Sequence, residues 1–258
     1  MPWLAATMPN GLSKRLTRRW LVSTLPPTTG GAFAGSNSRS AAAVLDDDPQ
    51  TFWEPDLGQA PETWWVEVDL GRAVSARRVT LRFVDEGEGD PFYQFKVLVS
   101  DGENIALTDQ RLFREVGRTE RPNRSQREFS FDLVSTKSVA GVFEGDVIQY
   151  VHVLVTGSRV GRAEEVEQSD YDLLPAAEQG DVQHFGRDQD GIEWEVEEEI
   201  YNLLEPARQG QRRFHRRERP RLAELQVWTF GENIIQGMYA RGGVVTGDRT
   251  GHILSVDG

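Results

Sequence analysis

Apolar and polar residues alternate along several short stretches of this chain. Trp64, Val66, Val68 and Leu70 fall on one face of an extended segment, and Trp65, Glu67 and Asp69 fall on the other. This is the two-residue period of a half-buried strand. The same period groups Val79, Leu81 and Phe83, then Phe95, Val97 and Val99, then Phe129 and Phe131, then Val151, Val153 and Val155. His152 alternates with those last valines, which places it on the outer face of its sheet. Turn chemistry separates the runs, as at Gly87-Glu-Gly-Asp-Pro91, Ser100-Asp-Gly102 and Arg121-Pro-Asn123, because glycine, proline and aspartate favour turn geometry. Short strands divided by such turns predict an all-β antiparallel sandwich or barrel rather than a parallel α/β sheet.

After Thr156-Gly-Ser158 the pattern changes, and a repeat with an offset of 30 residues begins. Glu165-Val-Glu167 matches Glu195-Val-Glu197, Tyr171 matches Tyr201, Leu173-Leu174 matches Leu203-Leu204, and Gln179-Gly180 matches Gln209-Gly210. Phe185 and Phe214 correspond after a slip of one residue. Each copy predicts a short strand, a brief helix stopped at Gly180 or Gly210, and a second extended piece. Two copies are fewer than the three or more that a solenoid needs, so the pair is expected to pack on itself or on the sandwich. Alternation resumes at Arg221-Leu-Ala-Glu-Leu-Gln-Val-Trp228. The predicted organisation is an extended arm over 1–34, a sandwich over 35–158 plus 220–231, an α+β insertion of two repeats over 159–219, and a segment over 232–258 that is either a tail or the start of a second sandwich.

Charge refines this picture. The net charge is -12, which argues against a nucleic-acid partner, since tracking phosphates needs a basic footprint. Acidic residues dominate from Arg162 to Glu205 and arginines from Arg208 to Arg221. That dipolar distribution suits internal or intersubunit pairing. The absence of cysteine rules out disulfides, thiolate metal sites and a cysteine nucleophile. No apolar run approaches the about 18 residues of a membrane span, so membrane insertion is not expected. Lys14-Arg-Leu-Thr-Arg-Arg19 and the apolar residues after it imitate a secretory signal, but the apolar part is shorter than the about 7–15 residues of an h-region. No phosphate loop, nucleophile elbow or His-Glu-x-x-His pattern is present. Glu195-Val-Glu-Glu-Glu199 reads as a solvated acidic face, and the expectation is a protein that is not an enzyme.

Val44-Leu-Asp-Asp-Asp-Pro-Gln-Thr-Phe-Trp53, Trp65-Val-Glu-Val-Asp-Leu-Gly71, Phe95-Lys-Val-Leu-Val-Ser-Asp-Gly102, Tyr150-Val-His-Val-Leu-Val-Thr156 and Ala223-Glu-Leu-Gln-Val-Trp228, in that order, resemble the discoidin, or coagulation-factor C-type, domain. Carbohydrate-binding modules with a galactose-binding-like jelly roll share the pattern. The resemblance implies an eight-stranded antiparallel jelly roll that binds glycans, lipid headgroups or proteins through loops at one end. It also implies a structural calcium, held here by Asp46, Asp48, Thr51 and Glu224. Calcium takes about six to eight hard oxygens, which an Asp-rich turn and its carbonyls can offer. Asp47 stands where the family usually has glycine, which puts the expected backbone turn in question. For a sugar platform of aromatic rings with polar neighbours, the candidate ligand contacts are Trp64, Arg82, Phe92 and Tyr93, while Trp53 suits the core.

The arm, insertion and tail are not explained by a sugar module. They favour a structural or adhesive subunit of an extracellular or virus-like surface assembly, built on the discoidin-like module, over a free-standing carbohydrate-binding module. The expected partners are further copies or other subunits, with glycans as a second class, and the expected location is extracellular, on a cell surface or on a virion. The stretch Val244 to Val256 is expected to pair with the sheet edge of a neighbouring subunit.

Overall fold

The computed structural model describes residues 30–105, 110–133, 145–229, 233–235 and 244–245. The basic stretch at 14–19, the rest of the predicted arm before residue 30 and the end of the tail lie outside the described residues. Two sheets form the sandwich. One contains β1 (Gly31–Ala34), β2 (Trp65–Ala76), β4 (Gln94–Ser100), β5 (Arg114–Arg118), β7 (Asp146–Gly157) and β13 (Val244–Val245), in the order β13-β1-β2-β7-β4-β5. The other contains β3 (Arg78–Phe83), β6 (Glu128–Asp132) and β12 (Leu222–Trp228), in the order β12-β3-β6. All pairings are antiparallel except β13 on β1. The implied count of eight strands is exceeded by the two-residue β13.

The alternation read from the sequence becomes the core. Val66, Val68 and Leu70 from β2 and Val151 and Val153 from β7 meet Val79 and Leu81 from β3 and Leu225 and Val227 from β12, all fully buried. Each such side chain contributes about 1.5–3 kcal/mol on burial, enough to return a strand to the body after a long excursion. β12 does so by pairing with β3 from Leu222↔Phe83 to Trp228↔Arg78, and Trp53 and Leu222 exchange two backbone hydrogen bonds of 2.9 Å. Phe83, Phe92, Phe95 and Phe129 fill the same end, with edge-on and tilted contacts at centroid distances from 4.9 Å to 6.1 Å.

Three expectations change. Gly31–Ala34, assigned to the arm, is a buried strand paired with β2. Its alternation was invisible because a four-residue run of small and aromatic residues has no polar partner positions. Val244–Val245 pairs with β1 of the same chain, so this part of the tail extends its own sheet rather than a neighbour's. His152 lies outside the main core as expected, yet it is fully buried beneath Trp65 and Phe113, whose ring centroids lie 5.0 Å and 5.7 Å away. Among the described residues no helix is long and apolar enough to cross a membrane.

The insertion forms a four-stranded sheet from β8 (Glu164–Val166), β9 (Gln179–Arg187), β10 (Glu193–Val196) and β11 (Gln209–Arg216), in the order β10-β9-β11-β8. Short helices Gln168–Tyr171 and Glu198–Leu203 follow β8 and β10. Adding 30 to the first copy maps β8 onto β10 and β9 onto β11, and that exchange reverses the sheet order onto itself. The registers obey it. Phe214↔Val166 in one outer pair mirrors Val196↔His184 in the other, and Gln183↔Arg213 marks the centre of the inner pair. The edge strand of each copy is therefore hydrogen-bonded to the other copy, and the two repeats form one pseudo-two-fold sheet.

Side chains keep the symmetry. The Tyr171 hydroxyl donates to Gly180 O (2.9 Å), and Gln179 Nε2 donates to Tyr171 O and Leu174 O, both at 3.2 Å. Tyr201 donates to Gly210 O (3.1 Å), and Gln209 Nε2 to Tyr201 O (3.1 Å) and Leu204 O (3.3 Å). Tyr171 packs on Phe214 and Tyr201 on His184. The register thus aligns His184 with Phe214 and Phe185 with His215 without a slip, because sheet pairing, not the identity of one aromatic, sets the correspondence. Gly180 and Gly210 lie inside strands rather than stopping helices. A Cβ at either would meet a carbonyl oxygen of the crossing strand at 2.8 Å, His215 O or Phe185 O.

Tyr171→Phe and Tyr201→Phe each delete one hydrogen bond, worth about 0.5–1.5 kcal/mol. Urea titrations followed by circular dichroism are expected to show equal losses for the two variants. Unequal losses would show that the geometric symmetry is not an energetic one.

Candidate functional site

Two sandwich loops, 35–39 and 54–59, face the return segment Arg217–Arg221 and residues Ala177 and Glu178 of the insertion across a cleft of about 710 Å³. This volume falls within the about 300–1,000 Å³ of small-ligand sites. Buried indoles hold the loops. Trp53 Nε1 donates to Ser36 O at 3.1 Å, and Trp64 Nε1 donates to Asp56 O at 2.9 Å. Ser36 Oγ then accepts from Asp56 N at 3.1 Å, and Asn37 Nδ2 donates to Glu54 O at 2.9 Å. Asn37 has φ 49, a left-handed conformation that asparagine tolerates better than most residues. The loops are fixed before any ligand arrives.

The polar groups along this cleft are largely engaged. Arg221 Nε meets Glu54 Oε2 at 2.7 Å, and its guanidinium lies 4.2 Å from the Phe52 ring centroid. Arg219 Nη1 meets Glu178 Oε1 at 3.3 Å. Asp56 accepts from Gly58 N and Gln59 Nε2, both at 2.9 Å. No aromatic ring lines the cleft among the described residues.

The four residues predicted to contact ligand are not brought together. Trp64 and Phe92 are buried and offer no face to a ligand. Both were singled out for their aromatic character, which the core uses first. Tyr93 is half-buried, with Arg159 over its ring at 5.5 Å, and Arg82 is exposed on β3 with Glu128 at 3.5 Å. Trp64 does not line the cleft and holds its wall only through the N–H donated to Asp56 O. Ser36, Asn37, Glu54 and Asp56 were missed although the last two follow Trp53 closely in sequence, and the contribution from 177–178 and 217–221 is a tertiary one that carries no local signal.

In the predicted calcium loop, Thr51 Oγ1 donates to Asp46 at 3.0 Å and 2.8 Å, Asp48 N donates to Asp46 Oδ1 at 3.0 Å, and Gln50 N donates to Asp48 Oδ1 at 3.0 Å. Asp47 has φ 63, so the left-handed turn forms without the family's glycine. Glu224 is buried, and its Oε1 has no hydrogen-bond partner. Burial, reinforced by the charges of Asp46 and Asp47, pushes its carboxyl up to about 8. An orphaned buried oxygen beside two acidic side chains suits a hard cation. Among the described residues, however, no three His, Cys, Asp or Glu side chains converge as a metal-binding group, so main-chain carbonyls would have to complete the shell.

The insertion is clamped to the sandwich at Asp90. Arg216 Nη1 and Nη2 each lie 2.9 Å from its carboxylate, and Arg219 N donates at 2.8 Å. Burial raises the Asp90 pKa, but these hydrogen bonds and charges outweigh it and hold the group below its ordinary value. Nearby, buried Glu218 accepts from Arg159 N at 2.5 Å. Burial pushes its carboxyl up to about 7, with Asp90 adding to the shift. The folded protein keeps this proton to a higher pH than the unfolded chain does. Stability from this group is therefore greatest in acid and falls as the pH rises from about 4.5 to about 7. Melting curves across that window are expected to decline less steeply for Glu218→Gln than for the wild type, and parallel curves would remove Glu218 as the cause.

Residues 43–140 match the family model described as a NedA-like, galactose-binding domain of the F5/F8 type C group. A comparison with curated proteins gives no match. Among solved structures the chain is similar to Clostridium perfringens CpGH89 with its substrate GlcNAc-α-1,4-galactose (18% identity, 51% of this chain and 12% of that chain, TM-score 0.33). It is also similar to chitosan-binding module 2 of a Paenibacillus sp. IK-5 chitosanase/glucanase with chitotriose (17%, 50% and 85%, 0.35). A third is the family 32 carbohydrate-binding module of C. perfringens NanJ with galactose (11%, 50% and 81%, 0.36). The antiparallel sandwich agrees with that match, and over residues 43–140 the chain is similar to the galactose-binding-like domains of the F5/F8 type C group.

Proposed function

We propose that this chain is a carbohydrate-binding module, acting outside the cell by binding rather than catalysis, and that its glycan sits in the cleft between loops 35–39 and 54–59 and the return segment 217–221. The observation that carries the reading is a polar cleft of ligand size whose walls are held by two buried indoles, on a domain matched by a galactose-binding family model. Preorganised donors and acceptors recover more binding energy than mobile ones, because less ordering is left to be done on association. In this reading calcium is bound at the loop by Glu224 and Asp46 together with the carbonyls around Asp48 and Thr51, and its role is to neutralise the buried Glu224 and stiffen the loop.

A second role is supported by the insertion. Leu173 and Leu203, equivalent in the two repeats, are 83% and 86% exposed, and Ile192, Trp194 and Ile200 are exposed as well. Apolar groups concentrated on one appendage support contact with further copies or other subunits of a surface assembly.

A glycan array followed by calorimetry is expected to find a retained sugar, and Glu54→Gln is expected to weaken it at least tenfold with little change in melting temperature. An array with no retained sugar would end the carbohydrate reading. Calcium is expected to raise the melting temperature by several degrees, reversibly with chelator, and Glu224→Gln is expected to abolish the rise. A melting temperature indifferent to calcium would remove the metal.

A further inference from the structure

The charges around the cleft do not cancel locally. Each carboxylate on its walls has a use: Glu54 is paired with Arg221, Glu178 with Arg219, Asp56 accepts from Gly58 N and Gln59 Nε2, and Glu218 accepts from Arg159 N. Two arginines on the same walls do not. Arg39 comes from the 3-10 segment Ser38–Leu45 of the sandwich and Arg217 from the segment that follows β11 on the return from the insertion. Both are exposed, and among the described residues neither guanidinium makes an ion pair, a hydrogen bond or a ring contact. Elsewhere on the insertion Arg162, Arg187, Arg213 and Arg216 are each paired with carboxylates. The guanidinium groups of Arg121, Arg124 and Arg208 are likewise without a partner among the described residues, but they lie outside this cleft, where Arg39 and Arg217 stand together in a protein that carries -12 as a whole.

We infer that the glycan bound in this cleft carries a carboxylate, and that Arg39 and Arg217 are the residues that select it. The inference rests on the carbohydrate reading above and adds the class of sugar. A guanidinium presents a planar fork of N–H donors that matches a carboxylate in two parallel hydrogen bonds. A neutral hydroxyl offers no such match. With no ring to stack on in this cleft, charge-assisted hydrogen bonds are the strongest contacts its walls can make. Because Arg217 belongs to the insertion's return segment, selectivity of this kind comes from the elaboration and not from the sandwich alone. The surrounding negative surface opposes polyanions at long range, so selection depends on the local geometry of the cleft.

The test compares matched pairs by calorimetry on the full chain: trigalacturonate against its methyl ester, and sialyllactose against lactose. In at least one pair the acid is expected to bind tenfold or more tightly than its neutral counterpart. Arg39→Gln and Arg217→Gln are each expected to bring that ratio close to one, Arg217→Lys to restore part of it, and Arg124→Gln, a removed positive charge outside this cleft, to leave it. Equal affinities within both pairs would overturn the inference while leaving a neutral-sugar module intact. Failure of any sugar to bind here and on the array would overturn both. A ratio that falls equally in the Arg124 variant would show general electrostatics at work, and would also overturn the assignment to Arg39 and Arg217.

Discussion

A single half-buried carboxylate decides where the insertion sits. Asp90 accepts two hydrogen bonds from Arg216 and one from the backbone of Arg219, and its carbonyl accepts one from Arg221 N. These bonds join the turn before β4 to the last residues of the insertion. Removing one partner from a fully buried pair costs about 3–5 kcal/mol, because the other charge is left without compensation, and this half-buried pair retains some solvent that lowers the cost. The pair is therefore more informative about geometry than about stability. It fixes the direction in which the chain leaves β11, and with it the position of Glu218, Arg219 and Arg221. The cleft exists because that direction is fixed.

Legibility followed the range of the interaction. β2, β3, β4, β6, β7 and β12 were visible because one face of each is buried against the opposite sheet, which imposes alternation on the sequence. The return of Ala223–Trp228 to the sandwich was visible for the same reason. Gly31–Ala34 was not, since every one of its residues is buried and no polar phase remains to be read. The site failed in a different way. Trp64 and Phe92 were chosen for their surfaces, and they are core residues. Trp64 bonds loop 54–59 through one N–H on an otherwise buried ring, which an aromatic count cannot reveal. Arg39 and Arg217 lie far apart in sequence, and only the clamp at Asp90 makes them neighbours of one cleft.

The repeat shows why sequence periodicity and structural symmetry are separate facts. The matches at Tyr171/Tyr201 and Gln179/Gln209 indicated duplication, but not that the copies exchange edge strands. One copy alone would leave β8 without β11 and β9 without β10, together with the apolar surface that the tyrosines cover. Pairing across the pseudo-two-fold axis satisfies both backbone edges at once, so two copies suffice where a stacked solenoid would need more. The 184/214 positions hold histidine in one copy and phenylalanine in the other, each beneath the opposite copy's tyrosine. What the fold demands there is a flat ring of moderate size, and the sequence is free to vary its polarity.

Charge ties these levels together. The basic half of the insertion pairs with the acidic half through Arg213–Glu165 and Arg216–Glu164, and the arginines inside the acidic half pair there as well, Arg162 with Asp181 and Glu195 and Arg187 with Glu193. Exposed pairs of this kind add little stability individually. Their effect is to use up charge, so that a dipolar sequence yields a surface whose cations are mostly committed. Against that background an uncommitted arginine is a physical signal in a way it would not be on a basic protein. The sandwich supplies Arg39 and the loops around it, the clamp fixes where the insertion delivers Arg217, and self-neutralisation of the insertion leaves those two guanidinium groups as the positive feature of the cleft.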